Sequence, residues 1–462
     1  MLDVLIVGAG PAGAVAGVVL ARAGARVRLV DRADFPRDKL CGDTVNPGAL
    51  ARLRHLGIAD GADARGLRVD GMLVTGERGA AIRGRYPGGL YGRAILRRDL
   101  DWLLLQQAVH AGCQFEPGVV VREAIVGDVD RGESAAAVRG VRIGHNGSTR
   151  ELRARVTIAA DGRHSTIAFG LGLARHPDRP RRWAIGAYFE GICHDSDSSR
   201  THVRHESEPS QSGVRLKSDF SPTWVDRPRR RAIGADFEGI CHDSDLSPTQ
   251  VRHESESSQS GVGVKSDFSP TCGVVGEMHI RRGRYIGVAP LPGGMTNVCL
   301  VKPSHPGDSD LRDPSSLLMR ELARDPLLGD RFAGARLVAP PVVLGPLAVD
   351  VQPAAIDGLL LAGDAAGFID PMTGDGLRFA IRGGELAASA ALDALAGGWA
   401  GVHARLADLR RREFGGKWRF NRALRALVAS PRAVDAAAAL APFARPVLRA
   451  IISRAGDCDL AA

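Results

Sequence analysis

Near the N-terminus, Gly8-Ala9-Gly10-Pro11-Ala12-Gly13 has the residue types and spacing to receive the pyrophosphate of a dinucleotide. Gly8 permits a tight turn at the end of a strand, and Gly10 leaves room for the backbone to approach the phosphates. Gly13 lets the following helix pack closely on that strand. The helix that follows offers free N–H groups and a positive dipole end to phosphate oxygens, with Pro11 and Ala12 as cofactor-binding candidates at its approach. Asp31 lies about 20 residues further on, where a carboxylate accepts hydrogen bonds from ribose hydroxyls. Arg32 beside it is a further cofactor-binding candidate.

These residues need elements in a fixed order to hold them. Asp3–Val7 is a nearly continuous apolar run, as in a strand buried on both faces. Ala12–Ala23 reads as a small-residue helix stopped by Gly24, and Arg26–Val30 as a second strand ending at Asp31. A glycine triplet alone fits a purely structural turn. Strand, turn, helix, strand and acid in register favour a nucleotide site.

The 462 residues suffice for two packed cores or one large fold with insertions. The net charge of +9 comes mostly from scattered arginines, and aromatics make up only 5%, so nucleic-acid binding is not expected. The seven cysteines are odd in number and include no C-x-x-C pair, which fits a reducing cytosol better than a disulfide framework or zinc site. Met1–Val7 lacks a basic n-region, so no signal peptide is expected there, and no run approaches the ~18 apolar residues of a membrane span. A cytoplasmic location follows as the expectation.

Three further motifs bear on the choice of dinucleotide. Phe35-Pro36-Arg37-Asp38-Lys39-Leu40-Cys41-Gly42-Asp43 follows the second strand. Val156–Ala160 leads to Asp161-Gly162-Arg163-His164-Ser165. Leu359–Leu361 runs into Gly363-Asp364-Ala365-Ala366-Gly367-Phe368-Ile369-Asp370-Pro371 and then Met372-Thr373-Gly374-Asp375-Gly376. In these motifs the chain resembles the geranylgeranyl reductase-like branch of the p-hydroxybenzoate hydroxylase-type FAD oxidoreductases and monooxygenases. The resemblance covers essentially everything outside Ile192–Val274.

The resemblance implies an α/β fold: a Rossmann-like FAD-binding domain interleaved with a β-sheet substrate domain, followed by C-terminal helices. The FAD domain would take residues 1–75, 93–172 and 340–390. The substrate domain would take 76–92 and 173–339, and the helical region 391–462. FAD is the implied cofactor. Asp364 would hold a ribityl hydroxyl, with Gly363 beside the pyrophosphate. Pro371, Gly374 and Gly376 would lie beside the isoalloxazine, where a helix N-terminus faces charge that appears on reduction. Asp161 and Gly162 resemble the family's second fingerprint, and Arg97 its arginine that reaches FAD from a helix start. Arg37 would neutralise the pyrophosphate; for Lys39 that role and a solvated one stay open. Cys41 matches the family's Cys-Gly pair beside the flavin and is the one candidate for catalysis, with packing as the alternative. No metal site is expected.

A single dinucleotide fingerprint means that NAD(P)H, or another electron donor, would visit the flavin transiently. Ala184–Gly191, Gly276–Ile280, Tyr285–Pro290 and Thr296–Val301 read as strands of a sheet over the flavin, enclosing an apolar pocket. The family's Tyr-x-Trp-x-Phe-Pro run appears as Tyr285-Ile286-Gly287-Val288-Ala289-Pro290, so the pocket should be wider or differently shaped. The Trp-x-Trp-x-Ile-Pro run of related halogenases does not occur.

Asp178–Thr223 recurs almost residue for residue as Asp226–Thr271. Only one copy fits one slot in a sheet. Trp183 and Tyr188 favour the first over Arg231 and Asp236, leaving 192–274 as an expected disordered insert. Its histidines among Asp and Glu lack ligand spacing. After Gly383–Gly397, helices are expected over Ala400–Gly415 and Arg419–Ile452. Their arginine and Leu/Ile/Phe faces suit packing, or contact with a membrane surface. The implied activity is flavin hydride transfer to or from a C–C double bond of a small lipophilic substrate. A monooxygenase using NAD(P)H and O2 is the alternative, and an inactive flavoprotein a third reading. Oligomeric state is not legible.

Overall fold

Alternation and run length in the apolar pattern decide two sheets of opposite character. In the computed structural model, which describes residues 2–77, 81–127, 137–145, 148–178, 181–192, 273–305, 307–430, 432, 436 and 445–460, both belong to one compact unit. The first sheet is built from β1 (Leu2–Val7), β2 (Val27–Val30), β3 (Gln114–Glu116) and β4 (Ser148–Ala159). The second is built chiefly from β5 (Arg182–Glu190), β6 (Val275–Arg281), β7 (Arg284–Pro290) and β8 (Thr296–Pro303), before β9 (Leu359–Leu361) returns to the first.

The first sheet runs β9-β4-β1-β2-β3, and all four pairings are parallel. Its strands are apolar on both faces because both are covered. Val4 and Ile6 pack on the helices α1 (Pro11–Arg22), α2 (Pro47–His55), α3 (Arg97–His110) and α4 (Gly376–Gly397). Leu5 and Val7 pack on an antiparallel layer that includes Val138, Val141 and Ile143. β2 and β4 flank β1 on opposite sides, so the chain reverses direction of travel at β1. That switch point opens a crevice at the strand ends.

The second sheet obeys a period of two. In β5, β7 and β8 one set of residues (Ile185, Ala187, Phe189; Ile286, Val288; Val298, Leu300) buries against Leu317, Leu318, Leu322 and Phe332. The alternate set faces the first sheet's strand ends. Gly71–Thr75 joins this sheet beside β6, and Val342–Leu344 joins β5, so both sequence boundaries, at 76 and at 339, fall a few residues inside it. The boundary drawn at 390 falls inside α4, an unbroken helix.

The first copy of the duplicated segment supplies β5, with Trp183 and Tyr188 in place. The second copy, and nearly all of 192–274 with its histidines, lies outside the described residues. One helix expectation is corrected. Instead of ending at Gly415 and restarting at Arg419, α5 (Val402–Ala429) runs straight through Gly415-Gly416. Tertiary contacts outweigh the propensity cost of two glycines, roughly 1 kcal/mol each. Lys417 and Asn421 just beyond them are buried, and a Cβ on Gly416 would lie 2.8 Å from the Arg454 guanidinium of α6 (Arg445–Ala455).

Candidate functional site

The parallel register brings four separated motifs to one edge of the first sheet. β1 ends in Gly8–Gly13, β2 in Asp31 and Arg32, β4 in Asp161 and Gly162, and β9 in Gly363 and Asp364. Gly8 has φ +101, and a Cβ there would lie 2.4 Å from the Ala160 carbonyl oxygen. Gly10, Pro11 and Ala12 form the start of α1, with Pro11 as its first residue. Asp31 is buried; one carboxylate oxygen accepts from Ala9 N–H at 2.8 Å and the other from Ala33 N–H at 2.9 Å. The ribose-binding candidate thus braces the phosphate turn. Arg32 is exposed next to it.

Cations gather above this turn. Arg37 reaches within 3.6 Å of where a Gly10 Cβ would be, and pairs with Asp101 at 3.1 Å. Lys39 Nζ lies 3.9 Å from the corresponding point on Gly162. Burial in the crevice lowers the Lys39 pKa, as do Arg97, Arg37 and Arg163, while Asp364 opposes them. The Asp364 carboxyl is pushed up by burial against the pull of Lys39, Arg97 and Arg163. Among the described residues Lys39 has no hydrogen-bonded or ion-paired partner, although it stands in a group of like charges. A local excess of cations at a helix N-terminus is what a pyrophosphate requires.

Arg97 stands at a helix start, as expected, and carries a buried ion pair as well. It starts α3, but its guanidinium is buried and forked onto Asp101 at 2.7 and 2.9 Å, with the Cys41 thiol also in hydrogen-bonding reach. Its charge also acts on Asp364 in the crevice. Asp161 closes the β4 turn by accepting from Thr166 N–H at 2.9 Å, and burial raises its pKa.

The remaining candidates meet the second sheet. Asp370 accepts from Met372 N–H at 3.1 Å, which caps the Pro371–Thr373 turn, and from the buried Tyr285 hydroxyl. Gly374 takes the left-handed conformation, φ 68, and Gly376 begins α4 with open space around it. Cys41 is half-buried, and its carbonyl accepts from Asn297 at 2.6 Å. Facing these loops, adjacent strands align Ala184, Val301 and Tyr285 in one row and Gly186, Cys299 and Gly287 in the next. The third row is Tyr188, Asn297 and Ala289. The face is largely apolar and built of small side chains.

Two clusters escaped the motif reading. Asp43 is fully buried and accepts from Arg97 N–H, the Tyr188 hydroxyl and Asn297; burial pushes it up to about 6 against those bonds. Behind the α4 N-terminus, Lys417 lies 3.0 Å from Asp375 and 3.2 Å from Asp457. Burial and the Asp457 charge push Asp375 up to about 6, with Lys417 opposing. Period-two reading of β5 and β8 would have put Tyr188 and Asn297 on the site face; their acid partner is not legible from spacing.

A nucleotide turn at the switch point of a parallel sheet, with a second sheet over the strand ends, defines an FAD-binding fold of the p-hydroxybenzoate hydroxylase type. Residues 1–207 match the family model "FAD binding domain". A menaquinone reductase of Mycolicibacterium smegmatis is 34% identical over 189 residues, 40% of this chain and 44% of that protein. Digeranylgeranylglycerophospholipid reductase 2 of Methanopyrus kandleri is 26% identical over 397 residues, 85% of this chain and 77% of its own. A flavin-dependent brominase structure superimposes with a TM-score of 0.71 at 18% identity, covering 99% of this chain and 94% of that one. The chain spans less than half the length of the menaquinone reductases it matches.

Proposed function

We propose that this chain is an FAD-dependent oxidoreductase that transfers hydride to or from a C–C double bond of a lipophilic, isoprenoid-like compound. The observation that carries the reading is the junction itself: a cationic dinucleotide crevice opening directly under an apolar, small-residue sheet face. The names of the two reductase relatives support the same substrate class. FAD bound in the crevice supplies two-electron hydride chemistry. The protein's own part is to bind, orient and exclude water. Arg37 and Lys39 attract the pyrophosphate, and Asp31 and Asp364 offer carboxylates to sugar hydroxyls. The α4 N-terminus favours negative charge at the ring edge beside Pro371–Gly376. The sheet face (Cys299, Gly287, Ala289) accepts a chain without polar demands.

Electrons come from NAD(P)H or another donor that visits transiently. The setting is cytoplasmic with contact at a membrane surface, where such lipids reside. Exposed Arg411, Arg412, Arg419 and Arg422 with exposed Leu409 and Leu427 on α5 support that contact. No helix among the described residues is long and apolar enough to cross a membrane. The second reading is a monooxygenase on the same cradle. NADPH-driven turnover of polyprenyl lipids, with and without oxygen, separates the two: saturated product without oxygen supports the reductase, and product only with oxygen overturns it.

A further inference from the structure

We propose that Asp43 is the positioning residue that fixes the Cys41–Gly42 turn at the flavin-facing junction, by gathering hydrogen bonds from three otherwise separate elements. One carboxylate oxygen accepts from the backbone N–H of Arg97, at the start of α3, at 2.9 Å. The other accepts from the Tyr188 hydroxyl of β5, at 2.9 Å, and from the Asn297 side-chain amide of β8. The same Asn297 amide donates to the Cys41 carbonyl at 2.6 Å, so the Asp43 carboxylate and the Asn297 amide together join the turn, the helix start and both strands. This inference rests on the FAD reading for its location beside the flavin, but not for its geometry.

Three observations separate this role from ordinary packing. Asp43 is fully buried, and a buried carboxylate is retained only where donors compensate it. Its φ is 49, and among the described residues Asp457 is the one other non-glycine residue with positive φ, so the backbone adopts an uncommon conformation at this position. The groups acting on it come from α3 (Arg97), β5 (Tyr188) and β8 (Asn297 and Cys299). Two of its three donors are side chains of the second sheet, so the carboxylate ties the loop beneath the flavin to the sheet above it. Leu40 completes the contact: it covers Gly186, where a Cβ would lie 2.5 Å from its methyl carbons.

The test is Asp43→Asn, which keeps size and tolerates positive φ but replaces one acceptor oxygen with an N–H2 group. Alkylation of Cys41, followed by mass spectrometry of its peptide, reports the turn with or without cofactor. The visible spectrum of the FAD-loaded protein reports the ring environment. Losing one buried hydrogen bond should speed Cys41 alkylation about tenfold and shift the flavin bands, while the melting curve stays cooperative. Labelling within twofold of the parent, with an identical spectrum, overturns the proposal. If the Asn variant does not fold, Tyr188→Phe removes a single donor and should raise Cys41 labelling about threefold; no change there overturns it too. Failure of the parent protein to take up FAD would instead count against the cofactor reading, and the labelling comparison would still decide the role of Asp43.

Discussion

A Cβ on Gly13 would fall 1.9 Å from the carbonyl oxygen of Gly8, which shows how closely α1 is drawn onto the end of β1. No side chain can be accommodated without moving the helix N-terminus that faces the phosphates. Gly13→Ala should therefore cost about 3 kcal/mol or more of stability and weaken FAD binding at least about a hundredfold. Equilibrium dialysis and urea unfolding check this. Unchanged FAD affinity would mean that the cofactor does not use this turn.

Lys39 gives the opposite signature from a structural residue. It sits in the crevice among Arg37, Arg97 and Arg163, with the Asp364 charge opposing theirs. Lys39→Ala should lower FAD affinity about tenfold, with weaker salt dependence, while the cofactor-free protein keeps its stability or gains some. A fall in cofactor-free stability with no change in affinity would contradict the assignment.

Glu277 provides a pH test remote from the crevice. Burial works to raise its pKa, but hydrogen bonds from Arg331, at 2.8 Å on each oxygen, and from His279 outweigh it and hold it at about 2, below the ordinary 4.5. A depressed carboxyl contributes stability above its unfolded pKa and loses it as pH falls through the folded one. That contribution is about 3 kcal/mol at pH 7. Glu277→Gln should cost about that much in urea unfolding at neutral pH, and less than about half of it near pH 3. An equal loss at both pH values would show that packing, not ionisation, is responsible.

The substrate face predicts a size effect. Gly287 and Ala289 share the face of β7 that carries Tyr285, and a Cβ on Gly287 would meet its nearest atom at 3.8 Å, ordinary contact distance. Gly287→Trp and Ala289→Phe should fold and retain FAD. Each should raise KM for long-chain substrates about tenfold or more and spare short ones. Equal loss for all chain lengths would place the substrate elsewhere.

Much of the cofactor half was legible in the sequence because its signals are local. Strand, glycine turn, helix and Asp31 lie within one continuous stretch, and Asp161 and Asp364 each follow an apolar strand. The junction was less legible because it is assembled from distant residues. Asp43 meets Tyr188 and Asn297 at separations of 145 and 254 residues, and no local pattern marks such a meeting. Arg97 was located correctly at a helix start, but its buried pairing with Asp101, one helical turn on, was not foreseen. The continuity of α5 through Gly415-Gly416 was missed for a similar reason: Lys417 reaches Asp375 and Asp457, contacts that local propensity does not contain.

FAD-loaded protein is reduced under nitrogen, mixed with a polyprenyl lipid, and followed by the return of the oxidised flavin band with analysis of the lipid. The account predicts reoxidation in step with saturation of a C–C double bond. Flavin that stays reduced with the lipid, and reoxidises only when oxygen is admitted and enters the product, would contradict it.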